Sequence, residues 1–289
     1  MTRRAADLHV HTTASDGLET PSRVVEVALA RGLAAVGITD HDSVSGLAEA
    51  LRRAAELGSD APEVVPGVEL DTDSADGEIH ILGYFMAWDD PNLESTLVRL
   101  RTGRLQRLTG MLSRLEALGL PLSPARVLEL AGGGSVGRPH VARAMVEAGY
   151  VTSVAEAFQR FLARGKPAYV ERLRFTPREA VRAIRAAGGV PVLAHPGKAV
   201  SRRTIRSLVE DGLEGLEVYH PDHDTLQEQD YSALAAGLGL VATGGSDSHG
   251  PGLHRGAEIG EKVVDAGVVE ELRRRAEAVR RSRGEGTKA

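Results

Sequence analysis

The sequence contains no cysteine in 289 residues. A chain without thiols forms no disulfide, holds no iron–sulfur cluster and has no thiol nucleophile, so any bound metal must be held by histidine and carboxylate side chains. Aromatic residues are also scarce, at 3 % of the chain. This scarcity disfavours an extended single-strand binding track built from aromatic stacking platforms.

Long apolar runs are absent too. No run approaches the roughly 18 uncharged residues of a membrane helix, and the opening MTRRAADLHV lacks the apolar stretch of a signal peptide. We therefore expect a cytoplasmic protein without a membrane partner. The net charge of −5 disfavours stable binding to a long nucleic-acid duplex, although a local basic surface could receive a phosphate group. Nothing in the composition indicates an oligomeric state.

The chain has the composition of a globular protein, with 42 % hydrophobic and 26 % charged residues. Short apolar runs that end in polar residues alternate with amphipathic stretches, which is typical of parallel strands connected by helices in an α/β fold. The predicted strands lie near residues 7–11, 34–39, 63–70, 79–86, 191–194, 216–219 and 240–243. Seven such strands suit a barrel.

Capping patterns predict where several helices begin. Thr20 before Pro21 begins a helix that Gly32 ends, and Thr176 with Glu179 forms a capping-box pattern ahead of a helix that ends at Gly188.

The alternation of strands and helices stops near residue 91. Asn92 is the predicted cap of a long helix, Gly132-Gly133-Gly134 a flexible joint, and Ser153 the cap of a last helix that runs to Arg164. We interpret 92–168 as an inserted helical cap domain over the barrel mouth, between barrel segments 1–91 and 169–289. A peripheral helical decoration is the alternative.

The last part of the chain, 270–288, is rich in arginine. Interspersed glutamates favour a solvated final helix with a frayed end over a nucleic-acid-binding tail.

Histidines and carboxylates recur at the predicted strand ends. His9 and His11 project to the same side of one strand, so their imidazoles can share a metal, although a structural histidine pair is the alternative for this pattern alone. His41 follows the second strand between Asp40 and Asp42, which we interpret as loop and cap residues.

Glu69 emerges from an apolar strand, and a buried carboxylate there needs a cation or hydrogen-bond donors. The candidate metal ligands are His9, His11, Asp16, His41, Glu69, His80, His195, Asp247 and His249. Nine donors are too many for one tetrahedral ion, but three ions could share them if Glu69 bridges two. Such donors fit divalent ions, of which we expect Mn²⁺, with Fe²⁺ and Zn²⁺ as alternatives.

The ordered motifs DLHVHTTASDG, GITDHDSVSG, PGVEL, EIHILGY, LAHPG and GSDSHG span most of the chain. They resemble the PHP (polymerase and histidinol phosphatase) superfamily of metal-dependent phosphoesterases. The resemblance implies a distorted seven-stranded, TIM-like (β/α) barrel with metals at the C-terminal ends of the strands.

The resemblance also implies how the nine ligands are divided among three ions. The first ion would be held by His9, His11, Glu69 and Asp247, the second by Glu69, His80 and His195, and the third by Asp16, His41 and His249. Because no ligand position is missing, the resemblance implies an active enzyme.

Within the superfamily, the helical insertion resembles the branch of nucleoside 3′,5′-bisphosphate phosphatases and 5′-to-3′ exoribonucleases of short RNA. We expect a phosphatase that hydrolyses phosphate monoesters of nucleotides by attack of a metal-bound hydroxide on phosphorus. A 5′-to-3′ exoribonuclease on short oligonucleotides with the same metal centre is the first alternative, and a non-catalytic, metal-stabilised binding module is the second.

Four further residues are candidates for substrate binding. Arg138 and His140 follow the glycine-rich joint and Lys166 ends the insertion, so these cations could bind substrate phosphates, or the first two could simply flank a helix. His223 is a candidate acid or phosphate ligand. For His220 and His254 we expect a surface position or a role in supporting a metal ligand.

Overall fold

The computed structural model describes residues 5–74, 76–251 and 257–286. Its strands form one nearly closed, barrel-shaped sheet in the order β7-β6-β5-β4-β3-β2-β1-β8. They are β1 (Ala5–Val10), β2 (Ala35–Ile38), β3 (Glu63–Ser74), β4 (Gly77–Tyr84), β5 (Val190–Leu193), β6 (Gly215–Tyr219), β7 (Val241–Gly244) and β8 (Val264–Asp265). The predicted α/β barrel is confirmed; the two-residue strand β8, antiparallel to β1, was not predicted.

Helices cover the outside of this sheet and form the insertion. They are α1 (Pro21–Ala30), α2 (Leu47–Leu57), α3 (Pro91–Ala117), α4 (Pro124–Leu130), α5 (Arg138–Glu147), α6 (Val154–Ala157), α7 (Pro177–Ala186), α8 (Arg202–Glu210), α9 (Thr225–Leu238) and α10 (Gly267–Gly286). A 3₁₀ turn at Gly58–Asp60 and a π-helical turn at Phe158–Leu162 complete them. Among the described residues, none of these helices is long and apolar enough to cross a membrane.

The prediction of parallel strands is wrong for β4, which is antiparallel to both β3 and β5. Ser74 pairs with Gly77, so the connection is far too short for the crossover of a dozen or more residues that a parallel pair requires. The reversal brings the first half of β4, which contains His80, to the end of the barrel where the parallel strands finish. Strand β3 also continues to Ser74, so Glu69 lies within this strand rather than at its end.

Three of the predicted caps, at Thr20, Thr176 and Ser153, are confirmed and one is wrong. Thr20 caps α1, and Thr176 forms the capping box with Glu179 at the start of α7. The cap of α3 is Asp90 rather than Asn92, because Pro91 occupies the first helical position and the residue before it accepts the free N–H groups. The Asp90 carboxylate accepts from the backbone N–H of Asn92 at 2.8 Å.

The insertion has an apolar cluster of its own, which includes Met111, Leu115 and Met145. The first turns of α3, however, pack Leu93 and Leu97 into the cluster between the sheet and its outer helices. Helix α3 therefore belongs to both parts, and the division at residues 92 and 168 stays a prediction. The last predicted helix is shorter than expected, with Ser153 capping α6 and the π-helical turn ending at Leu162.

The glycine-rich joint is packed at its last residue, Gly134, whereas the space around Gly132 and Gly133 is open, so its flexibility stays a prediction. The backbone N–H of Ser135 donates to the carbonyl of Ala14 at 3.0 Å. A Cβ at Gly134 would lie 2.6 Å from the carbonyl oxygen of Thr13. The end of the joint is thus packed against the loop that follows β1.

The final helix is confirmed, but only its outer side is solvated. Leu272 and Ala276 of α10 are buried against barrel residues that include Leu8 and Tyr84. Helix α10 therefore closes the end of the barrel opposite the ends of the parallel strands. The predicted frayed end falls partly on residues 287–289, outside the described residues.

We expect Gly37→Ala to destabilise the barrel by about 1–3 kcal/mol, because a Cβ there would lie 2.3 Å from the carbonyl oxygen of Leu8 in the neighbouring strand. Gly237→Ala in α9 is the matched control, since nothing lies within 4 Å of its Cβ position and alanine favours a helix. Denaturant unfolding of both variants measures the difference. Equal stabilities would contradict this account of β1–β2 packing.

Candidate metal centre

All nine predicted ligands converge at the mouth of the barrel. Their side chains come from strands β1, β3 and β4 and from the segments that follow β1, β2, β5 and β7. Three of these segments hold non-glycine residues at positive φ, namely Asp42 at 50°, His195 at 20° and Asp247 at 51°. Such backbone is costly for a residue with a Cβ and is found where the surrounding structure holds a functional side chain in place.

The first cluster consists of His9, His11, Glu69 and Asp247, all buried. The Nε2 atoms of His9 and His11 lie 3.1 Å apart, and each lies 3.0–3.4 Å from Glu69 Oε2 and Asp247 Oδ1. Metal–ligand bonds of about 2.1 Å in a tetrahedron place the ligand atoms about 3.4 Å apart. The four donors therefore have the spacing that one metal ion requires.

The other oxygen of Glu69 faces a second pair of imidazoles. Its Oε1 lies 2.8 Å from His80 Nδ1 and 3.0 Å from His195 Nε2. A single carboxylate thus directs its two oxygens at separate sets of histidines.

A third group contains Asp16, His41 and His249, with His11 beside them. Asp16 Oδ1 lies 3.4 Å from His249 Nε2 and 3.9 Å from His41 Nε2. His249 Nδ1 donates to the carbonyl of Asp247 at 2.8 Å, which leaves its Nε2 directed at Asp16. The structure therefore brings together all three predicted ligand sets, although their binding of metal stays a prediction.

Burial and neighbouring charges shift the pKa values of this cluster in opposite directions. Burial raises the pKa of Glu69, but neighbouring imidazoles, His41 foremost, outweigh it and hold that pKa well below its usual value. Conversely, burial lowers the pKa of His9, but the carboxylates of Glu217 and Glu69 raise it well above the ordinary value. Buried carboxylates here require positive charge close by, which protonated imidazoles or metal cations can provide.

Several buried polar atoms of the cluster have no hydrogen-bond partner among the described residues. They include Asp16 Oδ1 and Glu69 Oε2. Orphaned buried acceptors are rare in proteins because each costs free energy. Their convergence fits a set of divalent cations held by imidazole and carboxylate donors.

Glu217 is a functional residue that the sequence reasoning missed. It is fully buried in β6, accepts from His9 Nδ1 at 3.0 Å and from the backbone N–H of His195 at 2.8 Å. The first bond fixes the ring of His9 so that its Nε2 faces the cluster. The signal was an acidic residue inside the apolar strand Gly215–Tyr219, the same signal that identified Glu69.

His220 is not a surface residue; it is 1 % exposed. Its Nε2 lies 3.4 Å from Asp247 Oδ2, and its ring centroid lies 5.0 Å from that of His195. It therefore lies directly behind two predicted metal ligands. His254 lies outside the described residues.

Of the two aspartates beside His41, Asp40 holds the loop after β1, as predicted, whereas the side chain of Asp42 contacts the insertion and strand β3 instead. Asp40 accepts from the Thr12 backbone N–H at 2.7 Å and from the Ser15 hydroxyl at 2.6 Å. Asp42 accepts from Arg104 Nε at 2.7 Å.

Arg104 connects the insertion to the cluster. From α3 it donates to Asp42 and, through Nη2, to Asp71 Oδ2 at 2.7 Å. The other oxygen of Asp71 lies 2.7 Å from His41 Nδ1. Neither Asp71 nor Arg104 was identified from the sequence, because their partners are far away along the chain.

The four predicted substrate-binding residues lie in different settings, and none of their roles is tested. Arg138 is paired with Glu78, with both oxygens within 2.9 Å of its Nη2. Lys166 is exposed in the turn after the π-helical segment. His223 donates from Nδ1 to the Val218 carbonyl at 2.8 Å and accepts from the Gly197 N–H at 3.1 Å, so contact with a phosphate requires one of these bonds to break.

His140 is buried, with 1 % of its surface exposed, and forms the cap of α5. Its Nδ1 accepts from the backbone N–H of Gly137 at 3.0 Å. Burial lowers the pKa of His140 to about 4. The helix-flanking alternative therefore describes its contacts, and a role in binding substrate stays a prediction.

Comparison with known proteins agrees with this site. The PHP domain model matches residues 7–166. The chain is 36 % identical over 268 residues to the 5′-3′ exoribonuclease Rnm of Escherichia coli, covering 91 % of this chain and 90 % of the relative. It is 35 % identical over 260 residues to the 3′,5′-nucleoside bisphosphate phosphatase of Chromobacterium violaceum, covering 88 % and 90 %.

A solved structure with the same fold comes from Bifidobacterium adolescentis and is described as that of a metal-dependent phosphoesterase. The two chains are 33 % identical and superpose with a TM-score of 0.87 over 93 % of this chain and 96 % of the other.

We expect Glu69→Gln to lose bound metal, because it retains the shape of the side chain but removes the charge that faces two groups of histidines. Asp40→Asn is the matched control, since the hydrogen bonds of the Asp40 carboxylate among the described residues go to the loop residues Thr12 and Ser15. Metal analysis after reconstitution with Mn²⁺ measures the ions per chain. Full occupancy in Glu69→Gln together with loss in Asp40→Asn would reverse our assignment.

His140 should make stability depend on pH. Its folded pKa of about 4 is below the ordinary 6.5, so the unfolded chain takes up a proton first as the pH falls. Above pH 6.5 the neutral imidazole contributes fully to the free energy of unfolding. As the pH falls toward 4 this contribution is lost, and the free energy of unfolding decreases by roughly 3 kcal/mol at most. His140→Gln keeps a capping acceptor but does not titrate, so its thermal midpoint should fall less between pH 7 and pH 4.5. If the thermal midpoints of the wild type and of His140→Gln fall equally with pH, His140 is not the source of the pH dependence.

Proposed function

The chain belongs to the PHP family of metal-dependent phosphoesterases, hydrolases of phosphoester bonds, and we propose that it removes phosphate from nucleotides, with a nucleoside 3′,5′-bisphosphate or a mononucleotide as substrate. The observation that carries this proposal is the position of Glu69. Its two oxygens face separate histidine groups at the open end of the barrel, where an ester could reach both.

The residues fit three divalent ions, and we propose Mn²⁺ as the metal. His9, His11, Glu69 and Asp247 would hold the first ion, Glu69, His80 and His195 the second, and Asp16, His41 and His249 the third. When bound, such ions supply a nucleophilic water at neutral pH and positive charge for the phosphoryl oxygens.

The protein contributes orientation to this chemistry. Glu217 holds the Nδ1–H of His9, so that the Nε2 lone pair faces the cluster. The carbonyl of Asp247 does the same for His249. Most of the cluster is shielded from water, whereas His41, His80, His195 and His249 remain 13–15 % exposed at the mouth, where substrate would enter.

We propose that Arg138 and Lys166 meet the phosphate groups of the nucleotide from the insertion, with His140 and His223 nearby. Arg138 would exchange its partner Glu78 for a phosphate, because two oxygens of a phosphate can accept a pair of hydrogen bonds from the guanidinium as a carboxylate does. An aromatic content of 3 % supports a mononucleotide or a short oligonucleotide rather than a long strand.

A 5′-to-3′ exoribonuclease of short RNA is the second candidate. The chain is 36 % identical to the exoribonuclease of E. coli and 35 % identical to the bisphosphate phosphatase of C. violaceum. Sequence similarity therefore supports this candidate as much as the first. The same metal centre serves both, and the difference is whether a diester can extend from the site. A non-catalytic binding module is disfavoured by the convergence of all nine ligands.

Protein reconstituted with Mn²⁺ should release inorganic phosphate from nucleoside bisphosphates or mononucleotides, and the metal-free protein should release none. A 5′-phosphorylated pentanucleotide distinguishes the two candidates, because successive release of mononucleotides supports the exoribonuclease and an intact oligomer supports the phosphatase. Absence of turnover on every substrate and metal, together with nucleotide binding in calorimetry, would instead support the binding module.

A further inference from the structure

Arg107 stands apart from the other buried charges of this protein. Only 9 % of its surface is exposed, and its Nη2 is buried without a hydrogen-bond partner. Its Nε donates to the Val170 carbonyl at 2.7 Å, and its guanidinium carbon lies 5.3 Å from the centre of the Tyr169 ring. In the part of the chain that the structure describes, no carboxylate forms an ion pair with it. Burying a cation costs free energy unless an anion lies beside it and balances its charge.

Arg107 lines two adjoining clefts between α3 and its neighbours. The first, with an empty volume of about 300 Å³, also contacts Asp42, Asp71 and Arg172. Among the described residues, the second is lined by Arg104, Arg107 and Arg138 and by no acidic residue. In the first cleft, Asp42 and Asp71 pair with Arg104 rather than with Arg107.

The remaining lining of the second cleft also favours negative charge. Gly137, the residue that caps α5, lies in its wall, so the positive end of that ten-residue helix is at the cleft. Leu108 and Met111 form apolar walls, which strengthen charge interactions by excluding water. Burial and the repulsion of Arg138 together lower the pKa of Arg107 to about 10, a cost that a bound anion would offset.

We propose that this second cleft is an oxyanion site for a phosphate group, with Arg107 as its principal ligand. The identity of the oxyanion rests on the proposed function, whereas the existence of the site rests on the buried guanidinium of Arg107, which has no carboxylate partner among the described residues, and on the first turn of α5 in the wall of the cleft. The phosphate has two sources, the non-reacting phosphate of a nucleotide bisphosphate or free inorganic phosphate. Arg107 contributes no atom to the metal centre.

Three variants test the site. Arg107→Met removes the charge, and Arg107→Gln removes it while keeping a donor for the Val170 carbonyl, in case the first variant fails to fold. Arg114→Met is the matched control, since Arg114 lies two turns further along α3 and donates to the neighbouring Tyr169 carbonyl but is exposed.

The first measurement is the thermal midpoint of the metal-loaded protein in increasing inorganic phosphate, with chloride at equal ionic strength as reference. Phosphate should raise the midpoint of the wild type and of Arg114→Met more than that of the Arg107 variants. An equal rise in all four proteins would overturn the proposal. This measurement does not depend on turnover, so it decides the site even if the proposed function fails.

The second measurement is kcat/KM on a nucleoside 3′,5′-bisphosphate and on the corresponding monophosphates. If the cleft holds the second phosphate of the substrate, the Arg107 variants should lose on the order of 10- to 100-fold on the bisphosphate and about twofold or less on the monophosphates. Unchanged rates on both, with the phosphate-dependent midpoint lost, would assign the cleft to free phosphate. Equal losses on all substrates together with unchanged metal content and an unchanged phosphate response would overturn the oxyanion site.

Discussion

The burial of Glu69 among imidazoles is the constraint on which the site depends. A carboxylate that is 1 % exposed inside a barrel requires positive charge on both of its oxygens, and histidines from four other parts of the chain lie within 3.4 Å of them. The strand ends that carry those histidines must therefore be positioned to within a few tenths of an ångström. Close backbone packing between the strands, as at Gly37 and Gly245, provides that precision.

The insertion contacts this arrangement directly. Arg104 reaches from α3 to Asp42 and Asp71, and Asp71 lies against His41. The segment around Gly134 is packed on the loop that leads to Asp16. Charge and backbone contact thus join the helices to the third predicted metal group, which contains both His41 and Asp16, while Arg107 takes no part in these contacts and lines two clefts beside α3.

This geometry separates the residues that we expect to hold metal from those that we expect to bind the substrate. Imidazoles and carboxylates converge at the barrel mouth, where a phosphoester could meet several cations. The guanidinium groups lie at the edge formed by the insertion, and guanidinium pairs well with oxyanions. Relatives named as a phosphatase and an exoribonuclease are equally similar to this chain, which is consistent with one metal centre serving monoesters and diesters.

The sequence by itself determined the barrel and the convergence of its ligands, because a histidine or carboxylate at the end of an apolar strand has few places to lie except the mouth of the sheet. It did not determine the direction of β4, the cap at Asp90 or the packing of Gly134, since these depend on short connections and on contacts between distant segments. Glu217, Asp71 and Arg104 were missed for the same reason. Their partners His9, His41 and Asp42 are separated from them by 208, 30 and 62 positions, and only folding brings such groups within hydrogen-bond distance.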